Sequence, residues 1–197
     1  MTLLVVLEMV WLAGCASPAL PSETYVLDAR IAPRKAVGRG SRALLVAMPQ
    51  AQPGFDTRRI AYTKTPLTLD YYAKSEWADT PARLLAPLVV RALESTGGFR
   101  AVVAAPASVS GDIRMDIDVI RFQQEFLEQP SRMRIILRAR LIDLITLQVM
   151  ATQLFEAVEI APSENAYGGV QAANTALGRL LGELAEFALT HASGGEG

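Results

Sequence analysis

Residues 112–119 alternate strictly: Ile113, Met115, Ile117 and Val119 fall between Asp112, Arg114, Asp116 and Asp118. That is the period of a strand with one buried and one wet face. The alternation slips at Ile120, because Phe122 takes the opposite phase, and a bulge or bend is predicted there. Residues 131–144 resume as a long strand with Arg134, Arg138 and Arg140 on the polar face, and residues 147–160 return antiparallel to it. Two segments carry the helical period instead. The first opens on Thr80 as N-cap with Pro81 at the first helical position, buries Leu84, Leu85, Leu88, Val89, Ala92 and Leu93, and stops at Gly97 and Gly98. Pro87 inside it predicts a kink, at a cost of about 3 kcal/mol if unrelieved. The second covers 169–190, with Val170, Ala173, Leu177, Leu180, Leu184 and Phe187 as its stripe; Gly178 and Gly182, four apart, predict close packing on the sheet.

Shorter strands are predicted at 25–29, at 44–48 before Pro49, at 59–63 and 67–72 as a hairpin around Lys64-Thr65-Pro66, and at 99–104; 32–42 and 50–54 read as loop and turn. This order predicts one α/β domain: a mixed, largely antiparallel sheet with two principal helices. The domain is expected over 24–192, followed by a disordered tail at 193–197.

The chain's start has a different character. Residues 3–14 are almost continuously apolar, far short of the roughly 20 residues that span a bilayer as a helix, so they read as the core of a signal peptide over 1–14. The run ends in Leu12, Ala13, Gly14 and Cys15, which resembles the lipobox cut by lipoprotein signal peptidase. No Lys or Arg precedes the run and Glu8 lies within it, departures that an upstream start with a basic segment would explain. Cys15 is the expected site of acylation, for instance by palmitate, and 15–23, with Pro18, Pro21 and Ser22, the tether. Ala16 in place of an aspartate favours the outer membrane, by resemblance to the sorting rule of proteobacterial lipoproteins.

Charge and composition narrow the chemistry. Lys and Arg number 19 against 20 Asp and Glu, so no global field attracts nucleic acid. The 51% apolar and 20% charged composition belongs to a packed domain. One Cys and one His exclude an intramolecular disulfide and a multi-Cys/His metal site. His191, at the end of the last helix, is the only candidate histidine base, and its position suits a solvated or dipole-capping role. Nucleotide-binding and nucleophile-elbow motifs are absent, so no catalytic residues, cofactor or metal are expected. Asp112, Asp116 and Asp118 facing Arg134, Arg138 and Arg140 are read as cross-strand ion pairs.

Residues 50–79 gather Phe55, Tyr62, Tyr71, Tyr72 and Trp77, five of thirteen aromatics, with Arg58 and Arg59 among them. Such amphipathic rings are common at interfaces, and these seven residues are the expected partner contacts. Tyr25-Val26-Leu27-Asp28, then Phe55-Asp56-Thr57-Arg58-Arg59-Ile60-Ala61-Tyr62, then Tyr71-Tyr72 and Glu76-Trp77-Ala78-Asp79 leading into a helix resemble the ABC-type transport auxiliary lipoprotein family. The family's middle motif is commonly Asp-Arg-x-x-Ile/Val-x-Tyr-Arg and its later one Trp-Ala-Glu; here Thr57 precedes the arginines, Lys64 lies two places after Tyr62, and Asp79 replaces the glutamate. The resemblance implies a non-catalytic lipoprotein subunit of a lipid- or solvent-transporting system at the periplasmic face of the outer membrane. Its implied partners are an MCE-domain protein with an ABC permease and ATPase; members also belong to the related paraquat-inducible system. The sequence itself neither requires nor excludes a homo-oligomer. The rival is a lipoprotein that carries a lipid or small hydrophobic ligand in a pocket between sheet and helices.

Overall fold

The computed structural model describes residues 23–31, 38, 40–106 and 111–192. The lipobox, Cys15, most of the tether, much of the 32–42 loop and the tail lie outside them. The strand with the clear alternation is the hub of the fold. In chain order the elements are β1 (Glu23–Tyr25), β2 (Ala43–Val46), β3 (Gln50–Ala51), β4 (Arg59–Thr63), β5 (Asp70–Trp77), α1 (Pro81–Thr96), β6 (Ala101–Ala104), β7 (Ile113–Glu125), β8 (Arg132–Asp143), β9 (Val149–Ile160) and α2 (Ala166–Ala192).

One edge of β7 receives β2, β3 and β4 in succession, all parallel to it, at Ile113–Met115, Asp118–Val119 and Gln123–Glu125. Its other edge pairs antiparallel with β8, which pairs with β9. β6 extends the sheet beyond β2; β5 and then β1 extend it beyond β4. The sheet is thus mixed, its longest pairings antiparallel. The predicted slip is present, since the β7–β8 register shifts between Val119 and Arg121. The shift keeps Phe122 and Gln124 on the buried face with Val119, and one extra residue is what permits that.

Both helices cover that face. Ile113, Met115, Ile117 and Val119 of β7 and Ile135, Leu137, Ala139 and Leu141 of β8 join Leu85, Val89, Leu177, Leu180 and Leu184 in one core. α1 starts at Pro81, but Thr80 makes no side-chain cap bond; it ends at Gly97, whose positive φ of 67° closes the last turn through a bond to the Glu94 carbonyl. The helix continues through Pro87. Pro87 lies on the exposed side, where water can take the carbonyl it strands, so the break is relieved. At the start of α2 the Asn165 carboxamide oxygen accepts the Gly168 N–H at 2.9 Å, a side-chain cap.

The first strand and the Gly178–Gly182 pair also depart from expectation. The segment predicted as a strand over 25–29 pairs only to Tyr25; residues 26–31 form an extended strap across the helices. Leu27 and Ala29 are buried beneath it, the Asp28 N–H donates to Asn174 Oδ1 at 2.6 Å, and the Asp28 carboxylate lies 3.5 Å from Arg91 of α1. Gly178 serves this strap and not the sheet: a Cβ there would lie 2.6 Å from the Arg30 carbonyl oxygen, whereas Gly182 has open space around it.

Candidate partner-binding surface

β4 and β5 form the predicted hairpin, with β5 starting at Asp70 because Leu67 occupies the turn with φ 66°. Neighbouring strand residues point to opposite faces, so the hairpin divides the predicted contacts into two groups. On the helix-bearing face, Tyr62 lies 4.8 Å from Tyr72 between ring centres, 6.0 Å from Phe126 edge-on, and beneath the Lys64 ammonium at 5.4 Å. The Tyr72 hydroxyl donates to Gln124 Oε1 at 3.0 Å; Gln124 Nε2 donates to Ser131 Oγ at 2.9 Å, and the Ser131 N–H to Glu164 Oε1 at 2.9 Å. A polar chain thus runs from the hairpin to the start of α2, and Gln124, its middle member, is fully buried. Beside it opens a crevice of about 780 Å³ lined by Glu23, Tyr25, Tyr72, Ser75, Asn165 and Tyr167, among others.

On the bare face, the Arg59 guanidinium lies 4.0 Å above the Tyr71 ring, a cation–π contact, and the Tyr71 hydroxyl donates to the Gly54 carbonyl at 3.0 Å. Arg58 is half exposed, donating to Glu76 at 2.8 Å and through Nε to the Trp77 carbonyl at 3.1 Å. Phe55 is partly buried against the core. Trp77 is 1% exposed, with its ring edge-on to Phe122 at 5.5 Å, so its indole supports the hairpin from within. Arg58, Arg59 and Tyr71 are therefore the predicted contacts presented together at the surface.

Burial, followed by the neighbouring Tyr62 and Glu164, pushes the Tyr72 hydroxyl up to about 12. A phenol whose folded value is raised adds stability below its unfolded value of 10.0, and that contribution is lost as pH rises through the folded value. In an ultraviolet phenolate titration, Tyr72→Phe is expected to remove a late-titrating tyrosine and leave the earlier ones; loss of an early-titrating group instead would contradict this placement.

The bare face of the central sheet carries the predicted ion pairs. Asp118 accepts from Arg138 at 2.8 Å and lies 3.3 Å from Arg140; Asp116 accepts from Arg114, its neighbour two places back, at 2.9 Å. Arg134 joins Glu125 at 2.9 Å and also Glu156. Of the expected cross-strand pairs, Asp118 with Arg138 and Arg140 forms, whereas Asp116 takes Arg114 of its own strand and Arg134 takes Glu125 and Glu156; exposed pairs of this kind contribute under about 1 kcal/mol each. Asp112 is apart, holding Arg100 at 3.0 Å and the Ala43 N–H at 2.6 Å. His191 Nδ1 lies 2.9 Å from the Phe187 carbonyl one turn back. Among the described residues no cluster of three or more His, Cys, Asp or Glu could hold a metal, and no helix is long and apolar enough to cross a membrane.

Comparison with known proteins gives a family. The model of the ABC-type transport auxiliary lipoprotein component matches residues 25–185. The crystal structure of protein XCC0632 from Xanthomonas campestris, assigned to DUF330, superposes with a TM-score of 0.78 at 29% identity, covering 86% of this chain and 96% of that one. The hypothetical protein CT253 from Chlamydia trachomatis shares the fold, with a TM-score of 0.54 at 10% identity over 79% of this chain and 99% of its own. No curated protein matches the chain. With the family model spanning most of its length, hairpin, strap, α1 and most of α2 included, the chain belongs to the ABC-type transport auxiliary lipoprotein family.

Proposed function

We propose that the chain is a non-catalytic lipoprotein subunit of an MCE-associated ABC system that moves lipid or solvent between membranes, held by acyl chains on Cys15 at the periplasmic face of the outer membrane. The observation that carries this reading is the family match from residue 25, ten places after a cysteine preceded by Leu12, Ala13 and Gly14. A tethered chain acts by confinement: fixing it near its partner raises effective concentration without new contacts. Two or three acyl chains, at about 0.8 kcal/mol per buried methylene, make such an anchor effectively permanent. The partner is the MCE-domain protein, with its permease and ATPase beyond it, and the contact is made by Arg58, Arg59 and Tyr71. The centre of the space between sheet and helices is filled by fully buried side chains such as Leu85, Val89, Ile117 and Leu180, which leaves the carrier reading only the crevice between β1, β5 and the start of α2.

The test is intact mass and membrane fractionation of the chain beside Cys15→Ala, followed by capture of the MCE-domain protein. The expected result is an acylated chain beginning at Cys15 in the outer membrane, absent from it in the variant, with capture weakened about tenfold by Arg59→Ala. An unmodified chain that stays out of the membrane fraction would sink the anchor. Capture unaffected by Arg59→Ala would move the contact elsewhere.

A further inference from the structure

Register fixes which parts of the fold stand at each end of the sheet. Thr63, Glu125, Arg132 and Ile160 form one row across β4, β7, β8 and β9. Beyond that row project the β4–β5 turn and the β7–β8 turn, joined where the Phe126 N–H donates to the Thr63 carbonyl at 2.8 Å. The two turns display Leu67, 107% exposed, Leu127, 47%, and Leu69, 37%. Leucine at a positive φ with its whole side chain in solvent is an unfavourable choice for a turn that faces only water. Tyr62 stands immediately behind, and Tyr167 is also exposed near the same end, amphipathic rings of the kind enriched at the headgroup level of membranes. The charges here nearly balance: Lys64 and Asp70 on one turn, Glu128 paired with Arg132 at 3.1 Å on the other.

The tether decides between this end and the opposite one, where Ile145, Leu147 and Val149 are also exposed. β1 runs parallel to β5, and β5 antiparallel to β4, so the chain upstream of Glu23 enters from the Leu67–Leu127 side. Glu23 shares its crevice with Tyr72, whose hydroxyl reaches Gln124. Seven residues lie between Cys15 and Glu23, eight Cα-to-Cα steps that extend to about 28 Å at most. β1 pairs with β5 at Ser75–Trp77, level with Arg59 of β4 and so near Phe122 of β7 and Ile135 of β8; from Ile135, eight residues lead to Asp143 at the end of β8, about 26 Å at strand rise. The chain leaves β1 pointing away from the far end, so for a lipid on Cys15 to bring that end to the bilayer the tether would have to double back and use nearly its whole reach.

We infer that the Leu67–Leu127 end of the sheet lies against the lipid leaflet, its leucines inserted at headgroup depth, and that the Ile145–Val149 end points away from the membrane. The occupant is a zwitterionic phospholipid surface, since the turns bring neither the basic excess nor the acidic one that would select headgroup charge. This orientation rests on acylation of Cys15.

The experiment uses the full acylated chain in phosphatidylcholine vesicles containing brominated lipid, with tryptophan reporters Leu67→Trp, Leu127→Trp and, at the other end, Ile145→Trp; Trp77 is buried and sets the background. All three positions are exposed, so the fold tolerates the replacements. Flotation with the vesicles reads the anchor, and quenching reads the orientation. The expected result is flotation of all three, with quenching at least twofold above background for Leu67→Trp and Leu127→Trp and background quenching for Ile145→Trp. Flotation with quenching at position 145, or at none of the three, overturns the orientation while leaving the anchor. Failure to float overturns the anchor and the orientation with it.

Discussion

Trp77→Ala is expected to cost about 3–5 kcal/mol, the range for emptying a large aromatic site in a packed core. With a urea dependence of about 2 kcal/mol per molar for a domain of this size, the unfolding midpoint should fall by about 2 M. The indole is 1% exposed and packs edge-on against Phe122. Its own backbone is part of the hairpin: the Trp77 N–H donates to the Arg58 carbonyl at 2.7 Å, and its carbonyl accepts from Arg58 Nε at 3.1 Å. Arg59→Ala, on the surface of the same hairpin, removes one exposed cation–π contact and should cost about 1 kcal/mol or less. If Trp77→Ala left the midpoint within about 0.5 M of the parent, the ring could not be part of the core, and its role would revert to surface contact.

Gly169→Ala is expected to destabilise by about 2 kcal/mol although alanine is the better helix former. Intrinsic propensity favours the substitution by up to about 1 kcal/mol. Against it, the new Cβ would stand 2.3 Å from Gln124 Oε1 and 2.9 Å from its Cδ. A glutamine terminus usually swings aside at little cost, but this one is fully buried and held at both ends, by the Tyr72 hydroxyl and Ser131 Oγ. Moving it orphans a buried amide, a penalty of about 1–3 kcal/mol, in addition to overpacking of similar size. Thermal unfolding of Gly169→Ala beside the control Gly182→Ala separates the two terms, since a Cβ at Gly182 meets nothing. The control should hold or raise the midpoint, and a Gly169→Ala midpoint equal to it would refute the clash.

These cases show where one-dimensional patterns lose information. The meander of β7, β8 and β9 was legible because each strand is long and one-sided, and even the slip at Ile120 follows from the phase of Phe122. The strap over 26–31 shows the same alternation, Leu27 and Ala29 in, Val26 and Asp28 out, since any extended segment laid on a surface buries every second residue. Its partner is a pair of helices, and alternation does not say what lies beneath. β3 is two residues long, too short for any period. Leu67 and Leu69 suggested strand by hydrophobicity, yet they lie in a turn before β5 begins. At the candidate surface, aromatic density located the hairpin, but whether a ring faces solvent, crevice or core depends on strand parity and on the register shift between Arg59 and Ala61, which composition does not carry. The polar chain through Gln124 left no sequence signal, because its members are brought together from β5, β7, the turn before β8 and the turn before α2.

The attachment of β1 and the strap sets how the domain bears load. A pull on the chain upstream of Glu23 runs nearly along the axis of β1, so its three register pairs with Ser75, Glu76 and Trp77 are sheared together instead of being peeled one by one. Behind them, the strap engages α2 through Asn174 and the seat at Gly178, and α1 through Arg91. Tension on the leash is passed to both helices before it reaches the β7–β8–β9 meander, so the first section to yield is the short parallel strand, and the rest of the sheet is shielded from the force.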